Sequence, residues 1–115
     1  MTDAAADCCN LDVDELRALL PSEPVLDETV VLLKGLADPT RLRLLSLLQD
    51  GEVCVQQLVE ALGMSQSAVS HQLRTLRAAR LVAFRKTGRH VHYRLADGHV
   101  ADILAGLLSH SGEVA

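Results

Sequence analysis

Two pairs of potential metal ligands lie near the C-terminus of the chain. Asp97 and His99 are separated by one residue, and His110 and Glu113 by two. Carboxylate oxygens and imidazole nitrogens bind zinc and other borderline divalent ions, and residues three apart share a face of a helix. The four side chains are therefore a candidate metal site. The same residues are also compatible with a helix start and a solvated tail that bind nothing.

One helix cannot bring the two pairs to a single ion. His99 and His110 are 11 residues apart, which is about 16 Å along an α-helix. Two copies of the helix packed antiparallel across a twofold axis would place the start of one beside the end of the other. That arrangement gives two equivalent four-ligand sites, each shared between two subunits.

Three cysteines form a second candidate site. Cys8 and Cys9 are adjacent and poorly placed to bridge each other, and Cys54 makes the number odd, so reduced thiols are expected. Three thiolates suit soft ions such as cadmium, lead or trivalent arsenic. The alternative is a buried, structural Cys54 and two incidental surface cysteines.

The charge is distributed unevenly along the chain. Of its 15 acidic residues, 12 precede residue 61, and none lies between residues 64 and 96. That basic segment carries seven of the 11 basic residues: Arg74, Arg77, Arg80, Arg85, Lys86, Arg89 and Arg94. The net charge of −4 therefore does not exclude a phosphate-contacting surface, although a solvated charged face gives the same pattern.

The elements that must position these groups are mostly helical. The chain has 115 residues, enough for one domain, and its composition of 49% hydrophobic but only 2% aromatic residues favours aliphatic helix packing over an all-β fold. Periodicity and capping residues predict helices over Leu11–Leu20, Asp27–Ala37, Thr40–Gln49, Cys54–Leu62, Gln66–Ala79 and Asp97–Ser111. Pro21 and Pro24 are predicted to end the first of them.

Three of these helices have a marked apolar side. In the second, it consists of Val30, Val31, Leu33 and Leu36. The third is predicted to be core through Leu42, Leu44, Leu45, Leu47 and Leu48. In the last helix, Val100, Ile103, Leu104, Leu107 and Leu108 predict either a dimer interface or packing against the chain's own core.

A helix-turn-helix followed by a hairpin is the central pattern. Gly63 suits the left-handed end of one helix and Ser65 the cap of the next. The second helix buries Val69, Leu73 and Leu76 and shows a polar, basic face made of Gln66, Ser67, Ser70, His71, Arg74 and Arg77. Two β-prone runs, residues 81–86 and 90–95, surround a turn at residues 87–89. A hairpin in this position is a wing, whose Arg85, Lys86 and Arg89 can reach the backbone or the minor groove of adjacent DNA.

These stretches resemble a known family. Residues 36–45, 52–55 and 65–74 strongly resemble the ArsR/SmtB family of bacterial metal-sensing repressors, and residues 85–93 resemble its wing. The likeness covers about residues 27–113. It implies a mainly α fold with a small β-hairpin wing, a winged helix-turn-helix homodimer, with residues 1–26 as an N-terminal arm and 27–113 as the DNA-binding and dimerisation domain.

The resemblance also implies the ligand sets. Asp97, His99, His110 and Glu113 match throughout the family's zinc pattern on the last helix. The family's cysteine site draws on the N-terminal arm and on a Cys-Val-Cys or Cys-Val-X-Asp stretch. This chain departs from it, because Gln56 and Gln57 follow Cys54 and Val55. The remaining Cys8, Cys9 and Cys54 are similar to the set in members that sense arsenic, cadmium or lead.

The function expected from these features is repression of transcription that metal relieves. The apo-homodimer would bind double-stranded operator DNA, with Gln66, Ser67, Ser70 and His71 at the family's DNA-contacting positions. No apolar run approaches the roughly 20 residues of a membrane span, so a soluble cytoplasmic protein is expected. The alternatives are a member that senses redox state or another ligand and, from a different class, a small zinc hydrolase. The hydrolase is disfavoured because four protein ligands would leave no open position on the ion.

Overall fold

The computed structural model describes residues 11–113. The chain divides after Val30 into two compact units. Its elements are α1 (Val13–Arg17), α2 (Glu23–Leu36), α3 (Pro39–Leu47), β1 (Val53–Cys54), α4 (Val55–Leu62), α5 (Gln66–Ala78), β2 (Val82–Thr87), β3 (His90–Leu95) and α6 (Gly98–Glu113). The mainly helical fold with a small β wing is as predicted. The predicted arm over residues 1–26 lies partly outside the described residues.

The first two helices differ from the prediction in their limits. Asp12 caps α1 by accepting the N–H of Asp14 at 3.0 Å, and α1 has only five residues. The next helix, α2, begins at Glu23, four residues before the predicted start. Pro24 was expected to act as a stop, but it lies in the first turn of α2. A proline fits there because the first N–H groups of a helix have no partner within the helix.

Helix α3 starts as the sequence predicts and buries fewer leucines than expected. The Asp38 carboxylate accepts the N–H of Arg41 at 3.0 Å, and Pro39 takes the first helical position. Leu44, Leu45 and Leu48 are buried, but Leu47 is 39% exposed and Leu42 is only partly covered. The prediction for Leu47 was wrong because, at 100° per residue, it falls outside the arc of the three buried leucines.

The core joins α3, α4, α5, the sheet and α6. Its fully buried side chains come from four helices and are Leu44, Leu45, Leu48, Leu58, Val69, Leu73, Leu76 and Leu104. The three predicted apolar positions of α5 are all among them. One side of α5 is thereby fixed against the core, which leaves the opposite side facing outward.

The turn between α4 and α5 follows the prediction. Gly63 has a φ of 62°, and its N–H donates to the carbonyls of Val59 and Glu60. Only glycine adopts this left-handed conformation without a steric cost. Ser65 Oγ accepts the N–H of Ala68 at 3.2 Å and so caps α5.

A close contact fixes the passage from α5 into the hairpin. The N–H of Leu81 donates to the carbonyl of Leu76, the closure expected of a helix that ends in a left-handed residue. Arg80, with a φ of 61°, is that residue. Leu81 then packs on Gly35 of α2, where an added Cβ would lie 2.7 Å from Leu81 Cδ1. The glycine therefore allows α2 to approach this junction.

The sheet has three strands in the order β1-β3-β2, both pairs antiparallel. The predicted hairpin is β2–β3, from the Val82–Leu95 pair to the Thr87–His90 pair. Gly88 and Arg89 form its two-residue turn, and Gly88 has a φ of 59°, as the first central residue of a type II′ turn requires. We call residues 82–95 the wing. Strand β1 was not predicted: its two residues are a strand only because they pair with β3.

Candidate nucleic-acid interface and metal-ligand pairs

Helix α5 presents its polar face to solvent. Gln66, Ser67, His71, Arg74 and Arg77 are exposed, and Ser70 is half-buried. These are the six residues that the sequence places opposite the buried side of the helix. A helix fixed to a core on one side, with glutamine, serine, histidine and arginine on the other, has the chemistry needed to contact base edges and phosphates.

Two of the predicted phosphate contacts already have partners within the protein. The Nε of Arg85 lies 2.8 Å from both carboxylate oxygens of Glu52, and its Nη1 donates to Thr87 Oγ1 at 2.6 Å. The guanidinium carbon of Arg77 lies 4.2 Å from the centre of the Phe84 ring, a cation–π contact. Arg77 therefore links α5 to the wing, and Arg85 links the wing to the residue before β1.

Three further predicted phosphate contacts have no ion-pair partner in the part of the chain that the structure describes. Arg74, Lys86 and Arg89 are exposed, and none of them forms an ion pair with a residue between 11 and 113. Arg74 lies on α5, and the other two lie on the wing at or beside its turn. Their charges are available to an external anion without the loss of an internal salt bridge.

Each predicted metal-ligand pair is formed at one end of α6. His99 Nδ1 lies 3.7 Å from Asp97 Oδ2, and His110 Nδ1 lies 3.6 Å from Glu113 Oε2. All four side chains are mostly exposed. Among residues 11–113, no three histidine, cysteine or acidic side chains are close enough to hold a metal ion. The described chain thus has two separate pairs of side chains of the types that bind zinc. Each pair has two candidate ligands, whereas a structural zinc site usually has four.

Asp97 also caps α6. Its Oδ1 accepts the N–H of Val100 at 3.0 Å. That hydrogen bond, followed by the nearby His99 imidazole, holds the pKa of Asp97 below its ordinary value. The carboxylate is therefore ionised at neutral pH, which is the form that binds a cation.

Helix α6 has two apolar stripes with different surroundings. Val100 and Leu104 are buried in the core, whereas Ile103, Leu107 and Leu108 are between 41 and 50% exposed. Residues 99, 103, 107 and 110 follow at spacings of four, four and three, so they share one face of the helix. Ile103 and Leu107 therefore lie on the face that carries both histidines, whereas Leu108 lies about half a turn away from His99 around the helix.

The chain resembles bacterial repressors along most of its length. Residues 38–83 match the model of the arsR family of bacterial regulatory proteins. Over 104 residues, the chain is 43% identical to a protein of Synechocystis sp. named transcriptional repressor SmtB homolog, an alignment that covers 88% of this chain and 79% of that one. The chain belongs to the ArsR/SmtB family of metal-sensing transcriptional repressors.

Solved structures agree with this assignment. A homodimeric winged helix-turn-helix domain from Mycobacterium bovis superposes with a TM-score of 0.76 at 32% identity, covering 83% of this chain and 91% of that one. The AntR antimony-specific transcriptional repressor superposes with a TM-score of 0.73 at 33% identity, covering 99% and 97%. The winged helix-turn-helix fold is confirmed, and this ArsR/SmtB protein is a repressor and not an enzyme.

The cysteine set of this ArsR/SmtB repressor is only partly visible. Cys54 is half-buried at the junction of β1 and α4, and its Sγ lies 3.1 Å from Gln56 Oε1. Its N–H donates to Gln57 Oε1 at 3.4 Å. The two glutamines that replace the family's second ligand are thus both hydrogen-bonded to Cys54. Cys8 and Cys9 lie outside the described residues.

Sequence reasoning missed the role of Arg41. Its Nε donates to the carbonyl of Gly35 at 2.8 Å and its Nη2 to that of Lys34 at 3.0 Å, while Nη1 reaches Gln72 on α5 at 3.3 Å. Arg41 therefore ties the end of α2 to α5. An arginine placed just after a helix end is the only signal that could have indicated this.

No helix of the described chain is long and apolar enough to cross a membrane.

Proposed function

We propose that the metal-free protein is a homodimer that binds operator DNA, and that metal binding releases it. Zinc is the effector at the α6 site, and a thiophilic ion (cadmium, lead or arsenite) is the effector at a cysteine site. The Mycobacterium bovis domain of the same fold is homodimeric, which supports a dimer here.

The observation that carries the proposal is the exposed face of α6. It combines a ligand pair at each end with apolar side chains, Ile103 and Leu107, between them. An exposed apolar stripe on a small protein marks an interaction surface. A half-site with two ligands marks a metal site that needs a second pair.

A second copy of α6 would cover the apolar stripe and supply the second pair of ligands. When the two helices pack antiparallel across a twofold axis, the stripe of one helix covers the equivalent stripe of the other. Asp97 and His99 of one protomer then meet His110 and Glu113 of its partner, and each ion has four ligands from two chains. An ion in that position favours one arrangement of the subunits. If that arrangement misaligns the two α5 helices on DNA, metal and DNA weaken each other's binding equally.

The DNA-reading residues are those of the α5 face. In the major groove, Gln66 can pair bidentately with adenine, with Ser67, Ser70 and His71 beside it. Arg74 and Arg77 of α5, with Arg85, Lys86 and Arg89 of the wing, would contact phosphates and set the register. Five of these nine residues are basic, and all five are exposed and lie within the one basic segment of the chain. Their position supports this assignment.

The thiol site combines Cys54 with Cys8 and Cys9. Three thiolates and no fourth ligand suit a soft ion of trigonal geometry. The likeness to the antimony-specific AntR over almost the whole of both chains supports a thiophilic effector. We expect Cys54→Ser to abolish release by cadmium or arsenite and to leave release by zinc intact. Absence of thiolate-to-metal charge-transfer absorption when cadmium is added to the wild type would contradict this site.

The test is DNA release followed by fluorescence anisotropy. A duplex selected by the protein from a random pool serves as the operator, and zinc is titrated into the complex with metal-free protein. We expect zinc to weaken binding at least fivefold, the lower end of ordinary allosteric coupling. His99→Ala combined with His110→Ala should bind the duplex normally and ignore zinc. His90→Ala, which removes an exposed histidine of the wing, is the matched control. A zinc response that survives the loss of His99 and His110 would refute the proposal.

A further inference from the structure

A small recess lies between the helix-turn-helix and the wing. It has a volume of about 150 Å³ and opens beside the start of α5. Two valines form its apolar part, Val55 and Val91. Its polar part comes from three elements: Gln56 of α4, Gln66 and Ser70 of α5, and Arg89 and Tyr93 of the wing.

The polar side chains of the recess can all donate a hydrogen bond, and none is acidic. Two amides, two hydroxyls and one guanidinium are donors, and Arg89 contributes the only formal charge. The starts of α4 and α5 also lie here, where backbone N–H groups and the helix dipoles favour an anion. Metal ions are disfavoured because the recess has no carboxylate, thiolate or imidazole.

Tyr93 is the decisive residue of the recess. Its side chain is 7% exposed, and its ring packs against Phe84 with 5.7 Å between the ring centres. Its hydroxyl meets no hydrogen-bond partner among residues 11–113. No enclosed side-chain nitrogen or oxygen among the described residues lacks a partner, so this hydroxyl is open to solvent on the side of the recess that Tyr93 lines. An acceptor supplied from outside, in the recess that Tyr93 lines, would satisfy it.

We infer that this recess seats one phosphate group of the operator backbone in each half-site, held by the Tyr93 hydroxyl and the Arg89 guanidinium. The inference rests on the proposed function, because it requires α5 and the wing to face DNA. Phosphate oxygens accept hydrogen bonds and carry the charge that Arg89 lacks within the protein. Gln56 and Tyr93 are then DNA-contacting residues that neither the helix-turn-helix pattern nor the basic residues of the wing indicate.

Neutral methylphosphonate links, placed one at a time along the selected duplex, test the contact. In the wild type, we expect one position per half-site at which the substitution weakens binding about tenfold, as loss of a hydrogen bond to a charged group does. Tyr93→Phe should weaken binding to the unmodified duplex about tenfold. In that variant, the same methylphosphonate should cost clearly less than in the wild type, because the Tyr93 hydrogen bond to that phosphate is already lost and only the Arg89 contact remains.

The salt dependence separates the two donors. Arg89→Gln should make the slope of log affinity against log salt shallower by about one unit for each lost phosphate contact. Tyr93→Phe removes no charge, so it should lower affinity at every salt concentration without changing the slope. Arg94→Gln is the matched control for Arg89. It removes an arginine at the far end of the hairpin, where Nη1 donates to the carbonyls of Leu95 and Ala96, and it should leave the methylphosphonate profile unchanged.

Each outcome decides the proposal. If Tyr93→Phe and the methylphosphonate penalties are additive at every position, the recess does not hold a backbone phosphate. If inorganic phosphate shifts the amide NMR signals of residues 56, 66 and 89 in the wild type but not in Tyr93→Phe, while the penalties remain additive, the recess binds free phosphate and the DNA assignment is wrong. If no duplex is bound with a salt-dependent affinity, the proposed function fails first. Tyr93→Phe keeps the ring packing, and an unchanged melting temperature excludes misfolding as the cause.

Discussion

The guanidinium of Arg85, a proposed phosphate contact, already has a partner within the protein. It lies 2.8 Å from both carboxylate oxygens of Glu52, and the Arg85 side chain is still 56% exposed. A phosphate that approaches must therefore compete with a carboxylate. Exposed ion pairs of this kind contribute only about 0–1 kcal/mol, so DNA can displace the contact at a small cost.

Removing the Glu52 carboxylate should strengthen DNA binding. We expect Glu52→Gln to raise affinity for any duplex about two- to fivefold, because Arg85 no longer exchanges a salt bridge for a phosphate. Arg85→Gln should be less harmful than Arg89→Gln in the wild type and equally harmful in the Glu52→Gln background. Anisotropy titrations over a range of salt concentrations measure both effects. Glu60→Gln removes a carboxylate from the same motif and is the control; an equal gain there would indicate a general charge effect.

Asp97 caps α6 and is also a proposed zinc ligand, and substitutions can separate the two roles. Asparagine caps a helix about as well as aspartate, so Asp97→Asn should leave the thermal stability of the metal-free protein unchanged and weaken zinc binding. Asp97→Ala should weaken zinc binding as well and also cost about 1 kcal/mol through the lost cap. Thermal unfolding in the presence of a chelator and zinc titration give the two readouts. If Asp97→Asn binds zinc as the wild type does, Asp97 is a cap and not a ligand.

At the scale of elements, the end of α2 depends on a side chain from α3. Arg41 donates to the carbonyls of Lys34 and Gly35, which lie in the last turn of α2, and contacts Gln72 on α5. The contacts with Gly35 and Gln72 are part-buried, and the contact with Lys34 is exposed. Carbonyls at a helix end have no partner within the helix, so this one guanidinium satisfies two of them.

Loss of these bonds should be measurable. We expect Arg41→Met to lower the free energy of unfolding by about 2 kcal/mol, because the part-buried carbonyl of Gly35 and the exposed carbonyl of Lys34 lose a charged donor. Arg43→Met, an exposed arginine on the same helix, should change it by no more than about 0.5 kcal/mol. Chemical denaturation at one protein concentration compares them. Equal effects would mean that the Arg41 contacts contribute nothing beyond surface charge.

The elements also show where sequence reasoning succeeds. Caps at Asp38 and Ser65 and the glycine turn at Gly63 were predicted because each depends on a side chain and its immediate neighbours. Strand β1 was not predicted, since two residues become a strand only by pairing with β3, which lies nearly 40 residues away. The partners of Arg41 and Arg85 were missed for the same reason. Pro24 was misread because a proline in the first turn and a proline after a helix look alike in sequence.

At the scale of the whole molecule, the sequence predicts the proximity of Asp97 to His99 and of His110 to Glu113, but the proposed zinc site is not contained in one chain. Each pair depends on spacing within a helix. The distance between them, about 16 Å along the helix, requires a second subunit for a complete site.

Mixed dimers test that requirement. One subunit carries Asp97→Asn and His99→Ala, and the other carries His110→Ala and Glu113→Gln. Either homodimer lacks half of the ligands at both sites and should bind zinc weakly. In the mixed dimer, one site has no intact ligand and the other has all four, so one tight zinc per dimer should return. A site built within one subunit would be damaged in both chains, and recovery of no zinc by the mixture would contradict the shared site.

The two apolar stripes of α6 have a consequence for dosage. Val100 and Leu104 are buried in the core of one chain, while Ile103 and Leu107 are exposed and are proposed to pack against a second chain. In the proposed dimer, folding and pairing therefore use the same helix but different sides of it. At subunit concentrations below the dimer dissociation constant, the amount of DNA-binding species rises with the square of the amount of protein. A twofold fall in synthesis would then lower promoter occupancy up to fourfold, giving the regulated gene a threshold even when no metal is present.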